Sequence, residues 1–214
     1  MKSALARGIY IWKNAEVLPV IPPPITTPAT IVAPMSTSSV PDVPFYSQFR
    51  DIRSPQWQKV GCGITSLAMV IDYYSPNAVS VNTLLKQGIA AGAYEQNAGW
   101  IYAGLIQLSQ KYGLDGTYHD LSKLDTQTAF EQFKKYVKAG PVILAVHYKF
   151  DPKSTIPHLV VIDAVQDGIV YYNDPAAKTG EKQIAVADFL KGWKRKVIVI
   201  RPTQEAQSTT LTKV

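Results

Sequence analysis

Cysteine is almost missing from this chain: among 214 residues there is only Cys62. That excludes an internal disulfide, and a lone thiol brings no metal cluster of its own. Histidine is nearly as scarce, with His119, His147 and His158. No His-x-x-x-His or equivalent ligand spacing joins them, so a zinc site finds no support. No metal or organic cofactor is implied. Long apolar runs are also absent, none reaching the roughly 18 residues of a membrane-spanning helix, so no integral membrane segment is expected. Met1-Lys2-Ser3-Ala4-Leu5-Ala6-Arg7 resembles the charged start of an export signal, but Lys13 and Glu16 arrive before any apolar stretch. A cleavable signal is therefore not expected. Dense positive runs are lacking too. The net charge of +6 comes from 22 Lys and Arg against 16 Asp and Glu, yet only Lys191 to Lys196 approaches a cluster. The charge reads as general solubility, and no nucleic-acid partner is expected. One cysteine fits either redox compartment.

What is present describes an ordinary core-forming protein, with 46% hydrophobic and 18% charged residues. The organisation shifts along the chain. Residues 1–40 read as an N-terminal extension: a short β-prone stretch, Gly8 to Trp12, is followed by six prolines, Pro19, Pro22, Pro23, Pro24, Pro28 and Pro34. Such a segment favours extended chain and supplies no core, so it reads as a linker in preference to a surface strap. A compact domain is expected over residues 41–202, and a loose polar tail over 203–214. Within the domain, Ile64, Leu67, Ala68, Ile71 and Tyr74 recur at helical spacing and stop at Ser75-Pro76-Asn77. Further helices are predicted over Val81–Ala90, Trp100–Tyr112 and Thr126–Lys138. Strands are predicted over Val142–Tyr148, His158–Val165, Ile169–Asn173 and Val197–Arg201, which are rich in β-branched and aromatic residues. Helices first and strands later give an α+β class, helices packed on an antiparallel sheet.

Cys62 sits in Gly61-Cys62-Gly63 directly ahead of the first helix. A helix N-terminus offers a positive dipole end and free N–H groups, which stabilise a thiolate. The competing reading, a buried cysteine acting as a small hydrophobe, is opposed by the flanking glycines, which leave the sulfur room for a substrate. A thiol nucleophile needs a base. His119 falls in a polar loop with Asp120, and His147 falls inside a strand. His158 opens a strand after Pro157, fixed by the sheet yet open to a cleft, and is the best base candidate. An orienting acceptor is the next requirement. If Gln166-Asp167-Gly168 closes a three-residue hairpin loop, Val165 pairs with Ile169 and His158 shares a face with Asp174, about 7 Å away as a diagonal neighbour. A two-residue loop would put them on opposite faces. Oxyanion donors are available from the Cys62 backbone N–H and, on weaker grounds of spacing, the Gln48 amide.

These motifs resemble a known family. Val43-Pro44-Phe45-Tyr46-Ser47-Gln48, Gly61 to Met69, Gly99-Trp100, Gly140-Pro141-Val142, His158-Leu159-Val160-Val161 and Asn173-Asp174-Pro175 occur in the order found in free-standing relatives of bacteriocin-processing (double-glycine leader) peptidases, which are papain-like cysteine peptidases. The likeness covers about Pro41 to Ala176. It implies a papain-like fold with Cys62 as nucleophile, His158 as general base and acid, Asp174 as orienter and Gln48 as oxyanion donor. Its substrate would be a peptide or protein, cleaved through an acyl-enzyme. The family often carries glycine before its histidine, where this chain has Pro157. Two other readings share these residues: a peptide- or wall-binding module on a degenerate peptidase fold, and a peptidoglycan amide hydrolase or acyl transferase with the same triad. The likeness and the Pro/Thr-rich segment suggest action outside the cytoplasm. Oligomeric state has no signature in the sequence.

Overall fold

The computed structural model describes residues 40–96 and 98–203. The readings of residues 1–39 as extension and linker, and of 204–214 as tail, lie outside the described residues. In chain order the elements are α1 (Gln48–Asp51), α2 (Pro55–Gln58), α3 (Cys62–Tyr74), α4 (Val81–Ala90), β1 (Tyr94–Glu95), β2 (Gly99–Trp100), α5 (Tyr102–Gln110), β3 (Leu114–Asp120), α6 (Thr126–Lys138), β4 (Val142–His147), a one-turn 3-10 helix (Tyr148–Phe150), β5 (Pro157–Gln166), β6 (Ile169–Asn173), β7 (Lys182–Ala185), α7 (Val186–Gly192) and β8 (Trp193–Pro202).

Six strands form one antiparallel sheet in the order β3-β8-β4-β5-β6-β7. Helices cover both faces. Ile143, Ala145, Leu159 and Val161 join one core cluster with residues of α3, α4 and α5. Val142, Leu144, Val160 and Ile162 join a second with α6 and α7. Because β4 and β5 are buried on both sides, their apolar runs are continuous rather than alternating. Among the described residues, no helix is long and apolar enough to cross a membrane.

The predicted α+β class and the bounds of α3, α4, α6 and β6 agree with the observed elements. Three expectations are corrected. The helix predicted from Trp100 begins at Tyr102, because Trp100 pairs with Tyr94 in a short ladder. His119 lies on β3 and not in a loop: Asp and Gly residues weaken that segment's own strand pattern, and its register is supplied entirely by β8. The hairpin between β5 and β6 closes with two residues. Gln166 pairs with Ile169, and Asp167 and Gly168 have φ of 51° and 77°, the pair of left-handed positions that a type I′ turn requires.

That tighter turn does not separate His158 from Asp174, because β5 carries a bulge. The register is Ala164↔Tyr171 beyond the bulge and Ile162↔Tyr172, Val161↔Asn173 before it, leaving Asp163 as the extra residue. One residue fewer in the turn is balanced by one more in the strand. The His158 end of the hairpin therefore has the expected register, for a different reason.

Candidate active site

Cys62 is the first residue of α3, with Gly61 as N-cap. Its N–H is one of the helix donors without a helical acceptor. The neighbouring glycines do not make space for a substrate, as the sequence led us to expect. A Cβ on Gly61 would strike Ile52, and one on Gly63 would lie 2.7 Å from the Trp100 ring. The space is filled by the protein's own side chains, which clamp the start of α3. Trp100 is itself held by a hydrogen bond from Nε1 to the Val60 carbonyl, 2.7 Å. One turn into the helix, buried Ser66 donates from Oγ to the carbonyl of Leu159 at 3.2 Å. The helix that presents Cys62 is thus tied to the strand that presents His158.

His158 is 5% exposed. Its Nε2 lies 2.6 Å from Asp174 Oδ1. A carboxylate only accepts, so Nε2 carries the proton and Nδ1 is left for the thiol. Burial lowers the pKa of the imidazole, but hydrogen bonds with Asp174 and Cys62 outweigh it and raise the group to about 9. The edge of the Tyr148 ring system packs on the imidazole, with centroids 5.3 Å apart and planes at 85°. Asp174 is fixed in turn by the Ala176 N–H, 2.8 Å from Oδ1.

Gln48 opens α1 and is buried, not the solvated loop residue that spacing alone describes. Its Nε2 donates to the Gln58 carbonyl at 2.7 Å, which fixes the amide orientation and leaves a second N–H. Its backbone N–H donates to the Pro175 carbonyl at 2.8 Å, while Ser47 Oγ donates to Ala177 at 2.9 Å. The segment carrying Gln48 is therefore stitched to the turn after Asp174. All four candidate residues are brought together. The other histidines are elsewhere: His119 stacks on Tyr136, and His147 Nδ1 bonds the Ser154 carbonyl.

A sequence model of the peptidase C39-like family matches residues 40–197. The chain belongs to that family. No curated protein matches it. Solved structures share the fold at low identity. The double glycine motif protease of an AMS/PCAT transporter, in complex with a leader peptide, is 22% identical with a TM-score of 0.55, covering 78% of this chain and 96% of that one. A C39-like peptidase from Bacillus anthracis is 21% identical with the same TM-score, covering 77% and 96%. The peptidase domain of Streptococcus ComA, a bifunctional ABC transporter of a quorum-sensing pathway, is 20% identical with a TM-score of 0.52, covering 68% and 93%. These are C39 peptidase domains of papain-like fold, and this C39-like chain shares it.

Cys62, His158 and Gln48 open onto a cleft of about 520 Å³. Trp100, Tyr102, Tyr94 and Tyr148 wall it, Phe49 and Ile156 form an exposed apolar rim, and Lys59 and Lys194 also line it. Apolar walls with a few convergent polar groups are the usual make-up of a binding site. Sequence spacing gave no sign of Tyr148, which follows β4 in the turn where Lys149 and Phe150 take positive φ.

Proposed function

We propose that this C39-like protein is a cysteine peptidase acting through Cys62, His158 and Asp174. The observation that carries the reading is the buried His158, bonded through Nε2 to Asp174 and opening with Cys62 onto one cleft. In this reading the imidazole takes the thiol proton, and the thiolate attacks the peptide carbonyl carbon. Negative charge moves to the carbonyl oxygen, which accepts from the Cys62 N–H and the free N–H of Gln48 Nε2. Collapse breaks the C–N bond, and His158 gives its proton to the departing amine. A thioester remains. His158 then takes a proton from water, whose oxygen displaces sulfur and releases the acid. Asp174 holds the imidazole orientation throughout.

A relative of this fold binds a leader peptide and is a double glycine motif protease, so peptides with that motif belong in the first substrate set. A peptide-library digest tests the reading. The protein should cleave a subset of peptides, and Cys62→Ala should abolish cleavage. Gln48→Ala should lower kcat on the order of 100-fold with little change in KM. Cleavage by Cys62→Ala defeats it, and no cleavage by the intact protein defeats it in favour of a binding module on the same fold.

A further inference from the structure

The hairpin that joins His158 to Asp174 can pair in two ways. A two-residue turn with no irregularity would continue Ala164↔Tyr171 into Asp163↔Tyr172 and Val161↔Asp174, putting Asp174 on the face opposite His158. The observed register places Val161 opposite Asn173, with Asp163 looped out between. Hydrophobic pattern alone scarcely chooses between them. Leu159, Val160, Val161 and Ile162 are all apolar and all buried, feeding cores on both faces. A one-residue slip would exchange one aliphatic side chain for another. Some polar contact must therefore specify the register.

Asp163 supplies it. The side chain is 3% exposed, and Oδ2 accepts from Asn173 Nδ2 at 3.0 Å. Asn173 is 1% exposed and fully engaged: Nδ2 also reaches the Val43 carbonyl at 3.3 Å, and Oδ1 accepts from the Glu181 N–H at 3.0 Å. In the regular register Asp163 would sit opposite Tyr172 and point away from Asn173. The contact exists only in the bulged form, and Asn173 immediately precedes Asp174.

We propose that Asp163 is a positioning residue, a register lock whose bond to Asn173 holds the bulged pairing that sets Asp174 against His158. Burial of a polar pair at some cost to gain a unique register is a known use of such groups. The cost is visible here. Asp163 Oδ1 is buried without a partner among the described residues. Burial pushes its carboxyl up to about 8; the Asn173 bond opposes this, and Glu181 and Asp42 add to it. The folded group thus keeps its proton where an unfolded Asp has lost it. Its contribution makes stability fall as pH rises from about 4 to about 8, and no further beyond.

The inference rests on the peptidase reading only for rate, so the decisive measurement is NMR titration of His158, which needs no turnover. Asp163→Asn retains the acceptor and should keep the raised His158 titration, while removing the decline in denaturation midpoint between about pH 4 and 8. Asp163→Val keeps the odd residue but removes the lock. His158 should then titrate at least one unit lower, and kcat should fall about tenfold or more with KM nearly unchanged. Deleting Asp163 removes the odd residue itself, so a regular ladder keeps Ile162 opposite Tyr172, and His158 should titrate nearer its original value than in Asp163→Val. A merely structural role predicts the reverse order, with deletion the more damaging change. Overturning results are an unaltered His158 titration in Asp163→Val, or a deletion variant that loses the His158–Asp174 coupling more fully than Asp163→Val. If Asp163→Val and the deletion do not fold, Asp163→Asn decides: a His158 titration lowered by one unit or more although the acceptor is retained overturns the proposal. Absence of peptide cleavage alongside the expected titrations would defeat the peptidase reading alone.

Discussion

At the scale of single residues, the proposed chemistry turns on the imidazole of His158. Its folded pKa of about 9 stands above the ordinary 6.5 because its bonds to Asp174 and Cys62 outweigh burial. The sign follows directly. Pairing favours the protonated ring, so its contribution to stability is complete below about 6.5 and is lost as pH rises through about 9. If peptides are cleaved, kcat/KM should stay high to near pH 9 and then fall, since this profile reports groups of the free enzyme. Asp174→Ala should lower kcat strongly and move that alkaline limb to lower pH while far-UV circular dichroism is unchanged. A limb that stays in place would remove Asp174 from the mechanism.

At the scale of elements, the start of α3 shows two local preferences in conflict. Alanine is better than glycine inside a helix by about 1 kcal/mol, so Gly63→Ala favours the helix considered alone. The packing term is larger and of opposite sign. A Cβ on Gly63 would lie 2.7 Å from Trp100 Cγ, and the indole cannot retreat easily. Its Nε1 is bonded to Val60, and its far edge would already meet a Cβ on Gly88 at 2.9 Å. Overpacking of this kind costs about 1–3 kcal/mol. We expect Gly63→Ala to lower the urea midpoint of the intact protein, and to lower it little or not at all in a Trp100→Ala background, where the clash is absent. Equal or greater stability in Gly63→Ala alone would show that Trp100 yields.

At the scale of the whole molecule, the last described strand lies in the interior of the sheet. β8 pairs with β3 on one side and β4 on the other, and among the described residues β3 has no other strand partner. Arg201 on β8 also donates to the carbonyls of Tyr136, Gly140 and Pro141, closing the turn between α6 and β4. A chain cut after Gly192 loses both ladders and should not give a cooperative thermal transition. A chain cut after Thr203 keeps them and should melt as the full protein does.

The sequence by itself determined the elements whose pattern is local. Apolar spacing and the Ser75-Pro76-Asn77 stop mark α3, the spans Val81–Ala90 and Thr126–Lys138 match the observed helices, and β-branched runs mark β4, β5 and β6. It also nominated Cys62, His158, Asp174 and Gln48, because thiol chemistry needs those residue types and the motif order limits the choice. Only the tertiary structure decided how they meet. No periodicity reveals that β3 will be paired by β8, nor that glycines beside Cys62 accommodate Ile52 and Trp100. The hairpin makes the point most sharply. With β5 apolar on both faces, pattern cannot fix its register, and counting turn residues gave the right pairing from the wrong loop. The register is instead matched by a polar contact across the hairpin, Asp163 against Asn173, which apolar patterning does not reveal.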